Sequence, residues 1–220
     1  MAVEPGPILD AAYPKVVATL VRLLGDMDRA LDATQDAMVK AMEVWGREGI
    51  PDNPSAWLIT VGRNRALDVL RRDQRSVEFD GNVVPLVVEN NPIDDFEVGT
   101  EWSDAGDQDD DLLRLLFTCC HPELNASAQI ALMLKVVLGF SVEEIARGLL
   151  IAPGAVEKRI TRAKQRLRDV QVAYEVPEAR EIPARLQVVL KAVYVLFNEG
   201  YSRISETSLA RGSLIDVAIR

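Results

Sequence analysis

The chain has 220 residues, 48% of them hydrophobic, 27% charged and only 5% aromatic, with a net charge of −9. This is the composition of a soluble globular chain with enough aliphatic mass for one or two small cores. The longest stretch free of Asp, Glu, Lys and Arg is 11 residues, 124–134, short of the roughly 20 that span a bilayer, and two cysteines with one histidine exclude a disulfide scaffold or a metal site built from several Cys and His.

The start, Met1-Ala2-Val3-Glu4-Pro5, lacks the basic and apolar runs of a signal peptide, so a cytoplasmic, membrane-free protein is expected. The acid excess is concentrated. Residues 73–111 hold 13 acids and one base, while the other 181 residues carry a net +3. The blocks on either side of this acidic segment can therefore present basic faces to nucleic acid.

In chain order, Val16, Leu20, Leu23 and Leu24 recur at helical spacing, and so do Leu31, Thr34, Met38, Met42 and Trp45, with a turn at Gly25-Asp26 between the two runs. Residues 46–54, with two prolines and two glycines, read as a loop. Ser55 can help start a helix running to about Arg72, with Ile59, Gly62, Ala66, Val69 and Leu70 on one stripe and Trp57, Thr60, Asn64 and Arg71 opposite. Residues 74–108 read as a flexible acidic linker. Within it residues 83–88 (Val-Val-Pro-Leu-Val-Val) form an apolar segment suited to docking in a groove. A second helical domain opens near Asp109, where Asp109-Asp110-Asp111 complement a helix N-terminus. Helices are predicted at about 110–119, 126–138, 141–150 and 153–170, then at 185–198 and 206–220 after a break marked by Pro177 and Pro183. The expected class is all-α.

The most informative segment is residues 139–168, GFSVEEIARGLLIAPGAVEKRITRAKQRLR. Ser141 and Glu144 make a capping box, Leu150 falls in a turn, and Pro153 suits the first position of a second helix. That helix buries Val156, Ile160, Ala163 and Leu167 and carries Lys158, Arg159, Arg162, Lys164, Arg166 and Arg168 against the single acid Glu157. Two short helices with a tight turn, the second strongly basic, form a helix-turn-helix. Guanidinium groups in a major groove can take guanine edges bidentately, and ammonium groups neutralise phosphates.

Upstream, LDATQDAMVKAMEVW and AWLITVGRNRALDVLRR resemble regions 2.2 and 2.3–2.4 of bacterial RNA polymerase sigma factors of the extracytoplasmic-function group, and the helix-turn-helix resembles region 4.2. The stretches LLRLLFTCCHPELNASAQIALMLKVVLGFS and VLKAVYVLFNEGYS resemble the subgroup with a helical C-terminal extension. The resemblance implies sigma region 2 at 8–73, the acidic linker at 74–108, sigma region 4 at 109–173 and the start of the extension at 174–220. It implies partners in the polymerase core, through its clamp helices and flap, and in promoter DNA. It also implies regulation by the chain's own extension, with no enzymatic activity and no cofactor. By the same resemblance the −35 contacts fall on Glu157, Lys158, Arg159, Thr161, Arg162, Lys164 and Arg166. The −10 contacts fall on Asn53, Trp57, Thr60, Asn64, Arg71 and Arg72, and the core-polymerase contacts on Asp32, Gln35, Asp36 and Val39.

Plainer readings stand beside these. Asp32 and Asp36 are also an ordinary solvated i,i+4 pair, Trp57 can pack rather than stack on a base, and Arg71 and Arg72 suit any helix C-terminus. Two residues depart from the common helix-turn-helix pattern. Leu150 replaces the usual turn glycine at a cost of about 1 kcal/mol, and Ala152 replaces a capping residue at a similar cost. Cys119-Cys120-His121 invites a metal or thiol-enzyme reading. Adjacent helical cysteines point about 100° apart, so the expectation is a core cysteine and a helix end, with redox sensing as the rival. The alternative to a sigma factor is a stand-alone helix-turn-helix regulator with an N-terminal sensing domain.

Overall fold

The computed structural model describes residues 4–79 and 105–203, and among these every regular element is a helix. The apolar segment expected at 83–88 and the helix expected at 206–220 lie outside the described residues.

Helix α1 (Gly6–Leu24) ends at Gly25, whose φ of +63° lets its amide reach back to the Val21 carbonyl. Helix α2 (Met27–Glu48) begins at Asp26, whose carboxylate accepts from the Arg29 amide at 2.9 Å. It continues through Gly46 to Glu48, so the loop expected at 46–54 shrinks to residues 49–53. Helix α3 (Pro54–Phe79) is capped by Asn53 rather than Ser55, the Asn53 Oδ1 accepting from the Ala56 amide at 3.1 Å, and it runs past the expected end at Arg72.

Helix α2 packs against α1 and α3 through a face made mostly of small residues. The buried residues of α2 are Ala30, Ala33, Thr34, Ala37, Ala41 and Trp45. Of the expected stripe, Thr34 and Trp45 are buried, whereas the longer Leu31 and Met38 are only partly buried and Met42 is 58% exposed, so three of its five residues flank the true face. Opposite, α3 sets Leu58, Ile59, Gly62 and Ala66 inward, whereas Val69, expected on the core stripe, is exposed. A Cβ on Gly62 would stand 2.8 Å from Leu20 Cδ1 and 3.1 Å from the Ala33 carbonyl oxygen, so glycine is what admits α3 to the α1–α2 groove.

Helix α4 (Ala105–Cys119) starts four residues before Asp109 and lies along α1. Asp111, expected at a helix N-terminus, lies inside α4 instead, where it is 1% exposed and is held by Arg22 of α1 at 2.7 Å and by Arg114 at 3.2 Å. Then come α5 (Ala126–Val136), capped by Asn125, α6 (Val142–Leu149) and α7 (Pro153–Asp169). Helix α8 (Ile182–Arg203) starts before and ends after the expected 185–198 and packs on α5 and α6. The N-terminal and C-terminal halves touch at several points besides Asp111. The Tyr13 ring lies 3.0 Å from where a Cβ on Gly139 would be, Lys15 pairs with Asp109, and the Tyr174 hydroxyl is within hydrogen-bond distance of the Ala18 and Asp111 carbonyls.

Candidate nucleic-acid and polymerase interface

The α6–α7 unit is built from local signals. The Ser141 amide donates to Glu144 Oε2 at 2.8 Å and Ser141 Oγ accepts from the Glu144 amide at 3.3 Å, closing the capping box. Leu150 takes φ 53° and ψ 43°, and in that left-handed turn its amide donates to the Arg147 carbonyl and the Ile151 amide to the Ala146 carbonyl. Pro153 starts α7, and Ala152 supplies no side-chain cap.

Helix α7 buries Val156, Ile160, Ala163 and Leu167, the four expected residues. This stripe orients everything else on the helix. Glu157, Lys158, Thr161 and Arg162 are exposed and Arg159 is half-buried, so five of the residues expected at the −35 element share the first three turns. The other two sit differently. Lys164 flanks the buried stripe, its side chain 13% exposed, and binds Asp28 of α2. Arg166 pairs with Glu123.

On α3, Trp57, Thr60, Asn64 and Arg71 follow one face, spaced near multiples of a helical turn, and all but the half-buried Trp57 are exposed. Trp57 meets Trp45 edge-on, ring centroids 5.4 Å apart, an apolar contact of the kind that fixes both rings. Thr60 donates its hydroxyl to the Ala56 carbonyl at 2.9 Å. Asn53 spends its amide oxygen on the α3 cap. The Arg72 side chain lies outside the described residues.

On α2, Asp32, Gln35, Asp36 and Val39 are exposed along one face, continued by Met42. Asp36 is bound by Arg65 of α3 at 2.8 Å. Arg65 was not anticipated, because its partner is 29 residues away and no local pattern marks it. Asp28, Asp111 and Arg22 escaped for the same reason.

Cys119 and Cys120 are buried. Burial pushes the Cys119 thiol well above its ordinary value and Cys120 up to about 12, so neither offers a thiolate near neutrality. The Gln129 amide donates to the Cys120 carbonyl at 3.1 Å and to the His121 carbonyl at 2.8 Å, which makes this segment a satisfied helix end. Among the described residues no three His, Cys, Asp or Glu side chains are placed to hold a metal, and no helix is long and apolar enough to cross a membrane.

The Sigma-70 region 2 family matches residues 8–76, and the Sigma-70 region 4 family matches residues 114–167. An uncharacterized protein of Rhizobium meliloti (strain 1021) is 39% identical over 213 residues, covering 96% of this chain and 49% of its own length, so the chain spans about half of that relative. The ECF RNA polymerase sigma factor SigL of Mycobacterium tuberculosis is 30% identical over 175 residues, covering 76% of this chain and 90% of SigL. Among solved structures, the sigma factor RpoE of Bartonella quintana, in complex with the anti-sigma factor NepR, is 26% identical and covers 73% of this chain and 91% of its own, with a TM-score of 0.30.

Proposed function

Since this chain belongs to the sigma-70 family of RNA polymerase sigma factors, in the extracytoplasmic-function group, we propose that it binds the polymerase core through the α2 face and directs it to promoters through α7 at the −35 element and α3 at the −10 element. The observation that carries this reading is the split of α7 into a continuous buried stripe and an outward set of Lys158, Arg159 and Arg162. A helix so divided is anchored in the protein while its cations remain available to a groove. Sigma factors as a family are not enzymes, and the chemistry proposed is binding and capture of unpaired −10 bases. Such work places the chain in the cytoplasm with the polymerase, whose clamp helices and flap are the partner surfaces.

The α2 face supports the polymerase half of the reading. Asp32, Gln35 and Asp36 run into Val39 and Met42, an acidic and apolar strip suited to a basic helical partner. The extension supports regulation from within the chain. Val188 and Val189 of α8 pack on the core, and Arg185 donates to the Phe117 carbonyl at 3.3 Å.

Run-off transcription with core polymerase tests the proposal. Asp32→Arg with Asp36→Arg is expected to abolish co-purification with core while circular dichroism stays unchanged. Arg162→Ala is expected to relax −35 preference, costing roughly 1–3 kcal/mol at the base it reads. Tight promoter binding by the free chain, with no gain from core polymerase, would instead select the stand-alone regulator. A chain ending at Val176 is expected to change promoter output; output identical to the parent would detach regulation from α8.

A further inference from the structure

The cations of α7 divide along the helix. Lys158, Arg159 and Arg162, toward its N-terminus, make no ion pair among the described residues. The C-terminal three each hold a carboxylate from elsewhere in the protein. Arg166 takes Glu123, while Lys164 and Arg168 share Asp28, one on each carboxylate oxygen, with Arg168 at 2.8 Å. Asp28 lies in the first turn of α2, 136 residues from Lys164. Partial burial pushes the Asp28 carboxyl up, but the hydrogen bonds and charges of Lys164 and Arg168 outweigh it and hold the group below the usual carboxylate range.

A carboxylate that gives one oxygen to an ammonium and the other to a guanidinium offers the same charge-assisted contacts as two oxygens of a DNA phosphate. The pairs also border an open cleft of about 280 Å³ lined by Gly25, Asp26, Thr118, Lys164, Arg168 and Tyr174. Asp28 and Arg168 keep 45% and 48% of their side chains exposed, so a competing polyanion can approach the pairs from that side even though Lys164 is mostly buried.

We propose that Asp28 stands in for a promoter phosphate in the free chain: it holds the two C-terminal cations of α7, and DNA gains them only by displacing it. The inference rests on α7 being the helix that enters DNA. It assigns the halves of α7 different states before binding. The base-reading half is already available, and the phosphate-neutralising half is held across the contact between the two halves of the protein. Free chain then binds duplex weakly, and any event that parts α2 from α7 raises its DNA affinity.

The test is a fluorescence-anisotropy titration of a labelled mixed-sequence DNA duplex with the full chain across a salt series. Asp28→Asn is expected to bind at least about threefold more tightly at low salt, as two half-exposed pairs, in which only Lys164 is mostly buried, permit. Its log K against log salt slope should steepen by up to about 1.8, roughly 0.9 for each cation released. Asp28→Glu keeps the carboxylate and is expected to keep the parent affinity. Glu48→Gln removes one negative charge at the far end of α2, and an equal gain there would overturn the proposal by reducing the effect to net charge. Arg162→Ala, titrated with a duplex that carries the −35 element, separates the two readings. If it weakens duplex binding while Asp28→Asn gives no gain, the Asp28 proposal is wrong and the DNA reading survives. If it leaves binding unchanged, α7 is not the DNA helix. A second measurement needs no variant. Carbodiimide treatment of the parent chain is expected to join Asp28 to Lys164 through an amide bond, located by peptide mass spectrometry and suppressed by excess duplex. Absence of that link in the free chain, or its persistence under saturating DNA, sinks the proposal.

Discussion

Asp111 has 1% of its side chain exposed and meets two guanidinium groups, Arg22 from α1 and Arg114 one turn along its own helix. Burying a carboxylate alone costs several kcal/mol, so the pairing is what makes the position tenable. Asp111→Ala would leave both arginines without their acceptor. The expected loss is at most about 3 kcal/mol, the low end for breaking a buried pair, because both guanidinium groups still reach water. Urea unfolding measures it, and a midpoint unchanged from the parent would show that the pair contributes nothing. Cys119 and Cys120 lend themselves to a kinetic test. With both thiols buried and pushed upward, iodoacetamide at pH 8 is expected to leave them unmodified in the native chain and to label both in denaturant. Rapid native labelling would revive the thiol-enzyme and redox readings.

At the scale of the elements, the helix-turn-helix is where local sequence and local structure agree. The capping box at Ser141 and Glu144, the proline at the start of α7 and the buried quartet at 4, 3 and 4 spacing are short-range features, and all were legible. Leu150 was legible as a compromise. It is 92% exposed at φ 53°, so its side chain gains nothing from packing while its backbone bears the strain of the left-handed region. Leu150→Gly is therefore expected to stabilise the chain by up to about 1 kcal/mol, read as a higher melting temperature; a fall would mean that Leu150 makes a contact the fold depends on. Helix α2 was less legible. A search for large apolar residues at helical spacing finds Leu31, Met38, Met42 and Trp45, but only Trp45 is buried, and apart from it and Thr34 the contact face of α2 is alanine. The long residues are displaced to the flank, which leaves Val39 and Met42 facing outward beside Asp32, Gln35 and Asp36. The displacement that spoiled the core assignment is what creates the strip proposed to meet the polymerase.

Over the whole molecule, the halves are held by contacts of very different kinds: the buried Asp111 cluster, the Tyr174 hydroxyl against α1 and α4, the exposed Asp28 and Lys15 pairs, and the Tyr13 ring on Gly139. Burial pushes the Tyr13 hydroxyl well above its ordinary range, in keeping with a ring packed into this contact. Gly139 has φ +69°, and an added Cβ would meet the Tyr13 ring at 3.0 Å. Gly139→Ala is therefore expected to cost about 1 kcal/mol or more from backbone strain, and to loosen the contact between the halves as well. Small-angle scattering should then report a larger radius of gyration. A destabilised variant of unchanged size would confine the effect to the α5–α6 turn.

By itself the sequence determined the helical class, the order of the helices, the helix-turn-helix and the family, because caps, turns and 3.6-residue periodicity act over a few residues and leave their mark in the string. It also marked the outward residues of α7 and α2 as candidates for DNA and polymerase. Only the tertiary structure decided which cations of α7 are free and which are held. Lys164 and Arg162 are chemically similar and two residues apart, yet one binds Asp28 and the other makes no ion pair. Helical spacing sets Lys164 beside the buried stripe and Arg162 away from it, but nothing near either residue names a partner. The difference arises because the α7 stripe fixes the rotation of the helix, and the docking of α1 on α4 carries the start of α2 to its C-terminal half. Partners 136 residues apart are chosen by how helices pack, and packing is a property of the assembled chain rather than of any segment within it.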